Sequence, residues 1–314
     1  MDIVLCADKN FAKPAHVTLF SLCHNNPDVE KNFHIITDSD SRETLECELD
    51  GEEKRLGIKL NFHTIPKEWC SVLPVGQDGQ SSHITLASYY RLFLSSVLPE
   101  EIEKVLYIDC DIIVRGDVSG LLDTDMTGKA IAGVSDMNEG DVRIYNRLGY
   151  YPCEGYFNAG VLVINLKYWR DHALQEEFLR YAQANRSILK FHDQDILIFT
   201  LRKSRISLPL RYNVQEQFLW KSPNFIVWDR LDEYNEAISQ PVIVHYTAMI
   251  KPWHAECSHP WTDEYLKYVE ICGLDIKDFP QLPEDPFMLR VKKYILTLVF
   301  GKHPMEYNPS VKKL

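Results

Sequence analysis

Two aspartates, Asp109 and Asp111, lie two residues apart within an otherwise apolar stretch of the chain, residues 104–114. The β-branched residues around them predict a buried strand that carries the pair out at its end, because ionised carboxylates are not left unpaired in a core. Residues i and i+2 of an extended chain point the same way, so both side chains can reach one cation. A hard divalent ion, Mg²⁺ or Mn²⁺, is the natural occupant; the alternative is a pair of surface aspartates without a ligand. Cys110 is expected to point into the core.

Other polar residues follow apolar runs in the same way. His245 lies near the end of the run 241–246, and an imidazole beside two carboxylates favours Mn²⁺ over Mg²⁺; a satisfied core histidine is the alternative. Lys251 either neutralises a phosphate or is a solvated surface charge. Asp8 and Asn10 follow the first apolar run, where they either cap its end or bind the edge of a uracil. The same two alternatives, capping and ligand binding, apply to Asn158, Asp193 and Gln194.

These residues need a scaffold that brings the ends of strands together. Short apolar runs alternate with helical patterns, which favours an α/β fold with a largely parallel sheet whose ligands bind beyond the carboxyl ends of the strands. Gly160, just before an apolar run, marks a close approach of backbone or ligand. Residues 66–83 are predicted to form a long surface loop. The predicted strands cover residues 3–7, 33–37, 58–64, 104–114, 130–134, 161–166, 205–208 and 241–246, and the predicted helices cover 16–23, 41–56, 87–94 and 171–185, with another beginning at His192.

Composition excludes several classes of protein. The 314 residues, 45% hydrophobic and 25% charged, are typical of a soluble globular protein of one large or two modest domains. A formal net charge of −11 argues against nucleic acid as a partner. The eight cysteines are scattered without a Cys-x-x-Cys pair, which indicates reduced thiols in a cytoplasmic protein. No apolar run approaches the roughly 18 residues of a membrane span, and no export signal precedes the first strand.

The last part of the chain is more basic than the rest and is predicted to be a separate extension. We predict a catalytic domain over residues 1–260 and a helical extension over 261–314, whose last part, 288–314, is a basic amphipathic tail. Residues 294–300 are too few to span a bilayer but suited to its interface, so we predict contact with an anionic membrane surface; a disordered tail is the alternative. Against the single acidic residue Glu306, the tail carries Arg290, Lys292, Lys293, Lys302, Lys312 and Lys313.

Taken together, the motifs have a specific order. They resemble glycosyltransferase family 8, particularly its bacterial lipopolysaccharide galactosyl- and glucosyltransferases, and more distantly glycogenin. The resemblance covers residues 1–261. It implies a glycosyltransferase A-type fold with a Rossmann-like, mostly parallel sheet flanked by helices, a UDP-sugar donor, Mn²⁺ dependence and retention of the anomeric configuration. The motifs are Ala-Asp-x-Asn near the start, Lys-Val-Leu-Tyr-Ile-Asp-x-Asp, Tyr-Phe-Asn-Ala-Gly-Val, Asp-Gln-Asp, and His-Tyr followed by Lys-Pro-Trp-His.

The resemblance also assigns roles to individual residues. The implied metal ligands are Asp109, Asp111 and His245. Ala248 stands where the family usually has glycine, three residues after the metal histidine, with its backbone N–H available to the donor diphosphate. Gln194 is placed beneath the anomeric carbon. The remaining matches are Ala7, Asp8 and Asn10 around the uridine, Lys251 at the diphosphate, and Arg91, Asp136, Asn158 and Asp193 along the donor sugar and the acceptor.

We therefore predict a retaining, Mn²⁺-dependent hexosyltransferase, with Mg²⁺ as a possible substitute, that acts on a saccharide or glycolipid acceptor in lipopolysaccharide or other cell-surface glycan synthesis. It is expected in the cytoplasm or on the inner face of the cytoplasmic membrane. The sequence leaves open glucose or galactose as the donor sugar, the acceptor and the oligomeric state. Two alternatives are a non-catalytic UDP-sugar-binding protein and a haloacid-dehalogenase-type phosphatase, although the phosphatase motif lies near the start of its domain and continues into Thr or Val, where this chain has Ile112.

Overall fold

A seven-stranded sheet forms the centre of the molecule. The computed structural model describes residues 1–71, 73–74, 86–220, 230–281, 307–308 and 311. The strand order is β3-β2-β1-β4-β7-β6-β8, and a smaller sheet has the order β5-β10-β9. The strands are β1 (Asp2–Cys6), β2 (Asn32–Thr37), β3 (Lys59–Thr64), β4 (Lys104–Ile108), β5 (Ile112–Val114), β6 (Ile131–Ser135), β7 (Phe157–Asn165), β8 (Arg205–Ser207), β9 (Val214–Gln215) and β10 (Ile243–His245).

Helices cover both faces of the large sheet. Alternate side chains of β1 enter different hydrophobic clusters, Ile3 and Leu5 on one face and Val4 and Cys6 on the other, as the pleat of a strand requires. The helices are α1 (Ala12–Asn25), α2 (Arg42–Glu48), α3 (Glu52–Leu56), α4 (Leu94–Val97), α5 (Ser119–Leu122), α6 (Val142–Leu148), α7 (Leu166–Asp171), α8 (Leu174–Ala184), α9 (His192–Leu201), α10 (Leu231–Ser239) and α11 (Thr262–Ile271).

The predicted α/β fold with a mostly parallel sheet is confirmed, with one strand reversed. β1 is parallel to β2 and β4, β2 is parallel to β3, and β6 is parallel to β8. β7 lies between β4 and β6 and is antiparallel to both. The first residues of β7 therefore meet the carboxyl ends of β4 and β6, so that a strand start and two strand ends face the same edge.

The single strand predicted over 104–114 is wrong, because the chain leaves the large sheet at Asp109. β4 ends at Ile108, and β5 begins at Ile112 in the small sheet, antiparallel to β10. The hydroxyl oxygen of Thr18 lies 2.9 and 2.8 Å from the carbonyl oxygens of Cys110 and Ile112, so a side chain of α1 binds the backbone at this crossing. Cys110 is buried, as predicted. The two aspartates thus sit between two sheets.

Some predicted helices are divided or wound differently. The helix predicted over 41–56 is α2 and α3, separated at Gly51, whose φ of 80° is left-handed. The helix predicted over 171–185 is α8 alone, because Ala173, with a φ of 48°, separates it from α7. The segment predicted as helical over 87–94 is a 3₁₀ helix, Leu86–Phe93. Most of the loop predicted over 66–83 lies outside the described residues; Lys67–Cys70 forms a 3₁₀ turn.

The described residues beyond 260 pack on the same core as the sheet. Trp261, Tyr265 and Tyr268 of this region join the hydrophobic cluster that contains Ile3 and Leu5, so the domain boundary at residue 260 stays a prediction. Apart from residues 307, 308 and 311, the basic tail lies outside the described residues. All eight cysteines are described and none forms a disulfide. No helix within the described ranges has the length and apolarity that a bilayer span requires.

His259 makes folding sensitive to acid. Burial lowers the pKa of its imidazole to about 3, whereas an unfolded histidine titrates near 6.5. Below pH 6.5 only the unfolded state binds a proton at this imidazole. As the pH decreases, the free energy of unfolding therefore decreases by about 1.4 kcal/mol per pH unit through this group. We expect His259→Phe to remove this component between pH 6.5 and 5, measured by urea unfolding. If the free energy of unfolding of His259→Phe depended on pH as that of the wild type does, His259 would not be the source of the acid sensitivity.

Candidate active site

The side chains of Asp109, Asp111 and His245 converge where the chain passes from β4 to β5. His245 pairs with Ile112 in the small sheet, which places its ring beside Asp111. His245 Nε2 lies 3.2 Å from Asp111 Oδ1 and 3.8 Å from Asp109 Oδ2. One ligand atom from each residue lies within 4.8 Å of the other two, and the described part of the chain holds no second such group. The structure therefore brings together the three predicted metal ligands.

The second oxygen of each carboxylate is already bound by the protein. Asp109 Oδ1 accepts hydrogen bonds from Tyr107 Oη at 2.6 Å and from Arg91 Nη2 at 2.8 Å. Asp111 Oδ2 accepts from Lys251 Nζ at 2.6 Å. Asp109 Oδ2 and Asp111 Oδ1 are the oxygens that face His245. Two carboxylate oxygens and one imidazole nitrogen form a donor set that fits a divalent transition metal, and their outer partners hold them in place.

Gly160 makes room for this group. A Cβ atom at this position would lie 2.2 Å from His245 Cε1 and 2.9 Å from Asp109 Oδ2. The carbonyl of Gly160 also accepts a hydrogen bond from the N–H of Asp109 at 2.8 Å, which ties β7 to the crossing. The close approach predicted at Gly160 is confirmed, and its partners are two of the predicted metal ligands.

We expect Gly160→Ala to weaken Mn²⁺ binding by roughly 100-fold, because the methyl group must displace the His245 ring or the Asp109 carboxylate. Titration of the purified chain with Mn²⁺ in a calorimeter measures the effect. Gly120→Ala is the matched control, since a Cβ there meets no atom within 4 Å. Wild-type Mn²⁺ affinity in Gly160→Ala would exclude the site.

Asn213 sets the orientation and the tautomer of His245. Its Oδ1 lies 3.0 Å from His245 Nδ1, and its Nδ2 donates to Asn158 Oδ1 at 2.8 Å. Because an amide oxygen only accepts, Nδ1 carries the proton and Nε2 keeps its lone pair for a metal. Asn213 is fully buried, and sequence reasoning missed it.

Replacing Asn213 with leucine should weaken Mn²⁺ binding about tenfold, because Nδ1 of His245 loses the acceptor that fixes its tautomer. Asn213→Asp restores an acceptor and should recover most of the affinity. Asn26→Leu also removes a buried asparagine, one that binds Leu22, Gly116 and Val118, so it controls for lost stability. If Asn213→Leu and Asn26→Leu bound Mn²⁺ equally well, Asn213 would have no specific role in orienting His245.

Amide groups continue from Asn213 to the predicted sugar-binding residues. Asn158 Nδ2 donates to Asp136 Oδ2 at 3.1 Å, and Gln194 Nε2 donates to the same oxygen at 3.1 Å. Gln194 Oε1 accepts from the N–H of Ala159 at 3.0 Å. Asp136 follows β6 and Asn158 is the second residue of β7, so the reversed strand brings them together.

Arg91 joins the metal site to α9. This buried guanidinium contacts Asp109, and its Nε lies 3.0 Å from Asp193 Oδ2. It also donates to the carbonyl oxygen of Ala159. Burial raises the pKa of Asp193 to about 7, although Arg91 opposes the rise. Arg91 therefore binds protein groups on several sides and holds Asp109 and Asp193 in place.

Asp195 anchors the start of α9 and so positions Gln194. Its fully buried carboxylate accepts from Arg147 Nη1 at 2.6 Å and from Tyr156 Oη at 2.9 Å. The N–H groups of Lys190 and Phe191 donate to it as well. Sequence reasoning quoted this aspartate only within the Asp-Gln-Asp motif and missed its anchoring role.

Lys251 and Ala248 lie on the loop after β10. Lys251 Nζ donates to the carbonyl of Tyr246 at 2.6 Å as well as to Asp111. Although burial acts to raise it, Lys251 and His245 hold the pKa of Asp111 well below its usual range. Burial raises the pKa of Glu216, and the backbone N–H of Ala248 acts to lower it; sequence reasoning also missed this buried residue.

The residues predicted around the uridine follow β1. Asp8 Oδ1 accepts from the N–H groups of Asn10 and Phe11, at 2.9 and 3.3 Å, so it caps the turn after the strand. The N–H of Ala7 donates to the carbonyl of Ile36, and Asn10 is exposed. Capping by Asp8 is thus observed, and the uridine contacts stay a prediction.

Comparison with known proteins decides the family. The model of glycosyl transferase family 8 matches residues 2–257, most of the chain. The chain belongs to glycosyl transferase family 8. This agrees with the predicted resemblance, and this family 8 chain is accordingly an enzyme that transfers sugars.

Curated relatives and a solved structure are similar over most of this family 8 chain. General stress protein A of Bacillus subtilis is 29% identical, with 86% of this chain and 93% of that protein covered. A lipopolysaccharide 1,2-glucosyltransferase of Escherichia coli K12 is 28% identical, with 84% and 76% covered. The galactosyltransferase LgtC, solved with donor and acceptor sugar analogues, is 26% identical with a TM-score of 0.74, covering 91% of this chain and 98% of LgtC. The fold is therefore of the glycosyltransferase A type, as predicted.

Proposed function

We propose that this chain transfers glucose or galactose from a UDP-sugar to a saccharide or glycolipid acceptor, with Mn²⁺ held by Asp109, Asp111 and His245. One observation carries the proposal. Each carboxylate has one oxygen bound by the protein, and the other oxygen faces His245 Nε2. The imidazole nitrogen in this set favours Mn²⁺, with Mg²⁺ as a weaker substitute.

The kind of group transferred follows from the relatives. The similar proteins include lipopolysaccharide glucosyltransferases and galactosyltransferases, and this chain is a hexosyltransferase. Several of them act on lipopolysaccharide, which supports an acceptor of that kind or another cell-surface glycan. Family membership overturns the phosphatase alternative.

The chemistry requires UDP to leave the anomeric carbon, which places new negative charge on the β-phosphate. A bound divalent metal neutralises charge on the diphosphate. Lys251 lies at the same site and would contribute a second positive charge once it exchanges Asp111 for a phosphate oxygen. Asp8 and Asn10, beyond the end of β1, would hold the uridine, and Ala7 would pack beside it.

We further propose that the configuration at the anomeric carbon is retained by front-side attack. An amide is a poor nucleophile, and Gln194 is the residue assigned to the space beneath that carbon. Its amide is held by Asp136 and by the N–H of Ala159, so the direction of its carbonyl dipole is fixed. This dipole would stabilise positive charge that develops on the sugar. Arg91, Asp136, Asn158 and Asp193 would line the sugar and the acceptor.

Membrane contact through the basic tail, 288–314, is a separate proposal. It rests on the six basic residues and the apolar run 294–300. It would place the enzyme on the inner face of the cytoplasmic membrane, beside a glycolipid acceptor. Within the predicted tail, only residues 307, 308 and 311 are described.

Release of UDP from a panel of UDP-sugars in the presence of Mn²⁺ tests the function. We expect hydrolysis of UDP-glucose or UDP-galactose that chelation abolishes, and a loss of at least about 100-fold in Asp111→Asn, which lacks one ligand charge. Asp263→Asn, an exposed-helix substitution on α11, should keep full activity. UDP-sugar binding without turnover would favour the non-catalytic alternative, and full activity in Asp111→Asn would refute the metal assignment.

A further inference from the structure

The described residues near the end of the chain pack against the catalytic body. Tyr307 forms an antiparallel bridge with Trp220, and the N–H of Asn308 donates to the carbonyl of Leu219 at 2.7 Å. Val311 is buried in the hydrophobic cluster that includes β5 and β10. Part of the predicted tail is thus docked on the segment that follows β9.

This docking reaches a buried carboxylate. Tyr307 Oη donates to Glu216 Oε1 at 2.9 Å, and Glu216 is only 6% exposed. Burial raises the pKa of Glu216, which accords with a carboxylate that depends on protein donors in place of water. The hydroxyl of Tyr307 is therefore one of few groups that satisfy it.

Glu216 in turn holds the loop after β10. Its backbone N–H lies 3.3 Å from Thr247 Oγ1, and the backbone N–H of Ala248 acts to lower the pKa of its carboxyl group, against the effect of burial. Thr247 and Ala248 lie between the metal ligand His245 and Lys251. Contacts therefore run without a gap from Tyr307, through Glu216, to the loop that carries the diphosphate-binding lysine.

We propose that Tyr307 and Glu216 are positioning residues for the donor: they hold residues 246–251 in the conformation that receives the diphosphate. The inference rests on the proposed UDP-sugar donor. A loop that is ordered before binding loses less conformational entropy when the phosphates arrive, so the hydrogen bonds of Glu216 contribute to affinity without touching the nucleotide. Removing the Tyr307 hydroxyl leaves a buried acceptor short of a donor, so Glu216 is held less firmly beside Thr247 and the loop.

The effect should be specific to the phosphate part of the donor. We expect Tyr307→Phe to weaken the binding of UDP with Mn²⁺ roughly fivefold in calorimetry, the value of one hydrogen bond, and to leave the binding of uridine, followed by NMR titration, unchanged. Tyr268→Phe is the matched control, because it removes a tyrosine hydroxyl that accepts a hydrogen bond from Asn25. It should leave both affinities as in the wild type.

A double-mutant cycle tests whether Tyr307 acts through Glu216. Glu216→Gln should weaken UDP binding at least as much as Tyr307→Phe, and the double variant should bind UDP no more weakly than Glu216→Gln alone. Additive losses would overturn the route through Glu216.

Two other results separate this inference from the proposed function. A wild-type chain that does not bind UDP would overturn both. If the wild type binds UDP and Tyr307→Phe binds it equally well or more tightly, only the positioning role is refuted. An equal loss of uridine affinity would also refute it, because a general defect in folding would then explain the result.

Discussion

The structure depends on keeping two carboxylates close together at a place where the chain passes between sheets. Asp109 and Asp111 repel each other, and both are largely removed from water. Arg91 and Lys251 each bind one oxygen of one aspartate, which compensates the charge and leaves the other oxygens facing His245. The pairing of β5 with β10 in the small sheet brings His245 to this point, because His245 lies opposite Ile112.

The reversed strand β7 gives the site its second half. Since β7 is antiparallel to β4 and β6, its first residues reach the edge where parallel strands end. Asn158 and Gly160 consequently lie opposite the crossing, and no side chain could replace the hydrogen at Gly160 without displacing His245 or Asp109. In a wholly parallel sheet this edge would hold only strand ends and the loops after them.

Neutral amides connect the metal site with the region assigned to the sugar. Asn213, Asn158 and Gln194 each use both their oxygen and their nitrogen, and the network ends on the buried carboxylate of Asp136. A buried polar network of this kind is favourable only when its members are satisfied, and it then specifies one arrangement. It therefore orients the imidazole of His245 and the amide of Gln194 together.

The amino-acid sequence by itself determined the α/β class, the close approach at Gly160 and the family, and it predicted the three residues that the structure brings together as candidate metal ligands, because apolar periodicity and the order of short motifs are local properties. Only the tertiary structure decided that residues 104–114 divide between two sheets and that β7 is reversed, since strand pairing is not local. Asn213 and Glu216 were missed for the same reason. Each is a single residue without a periodic signal, and their partners His245 and Thr247 lie about 30 residues further along the chain.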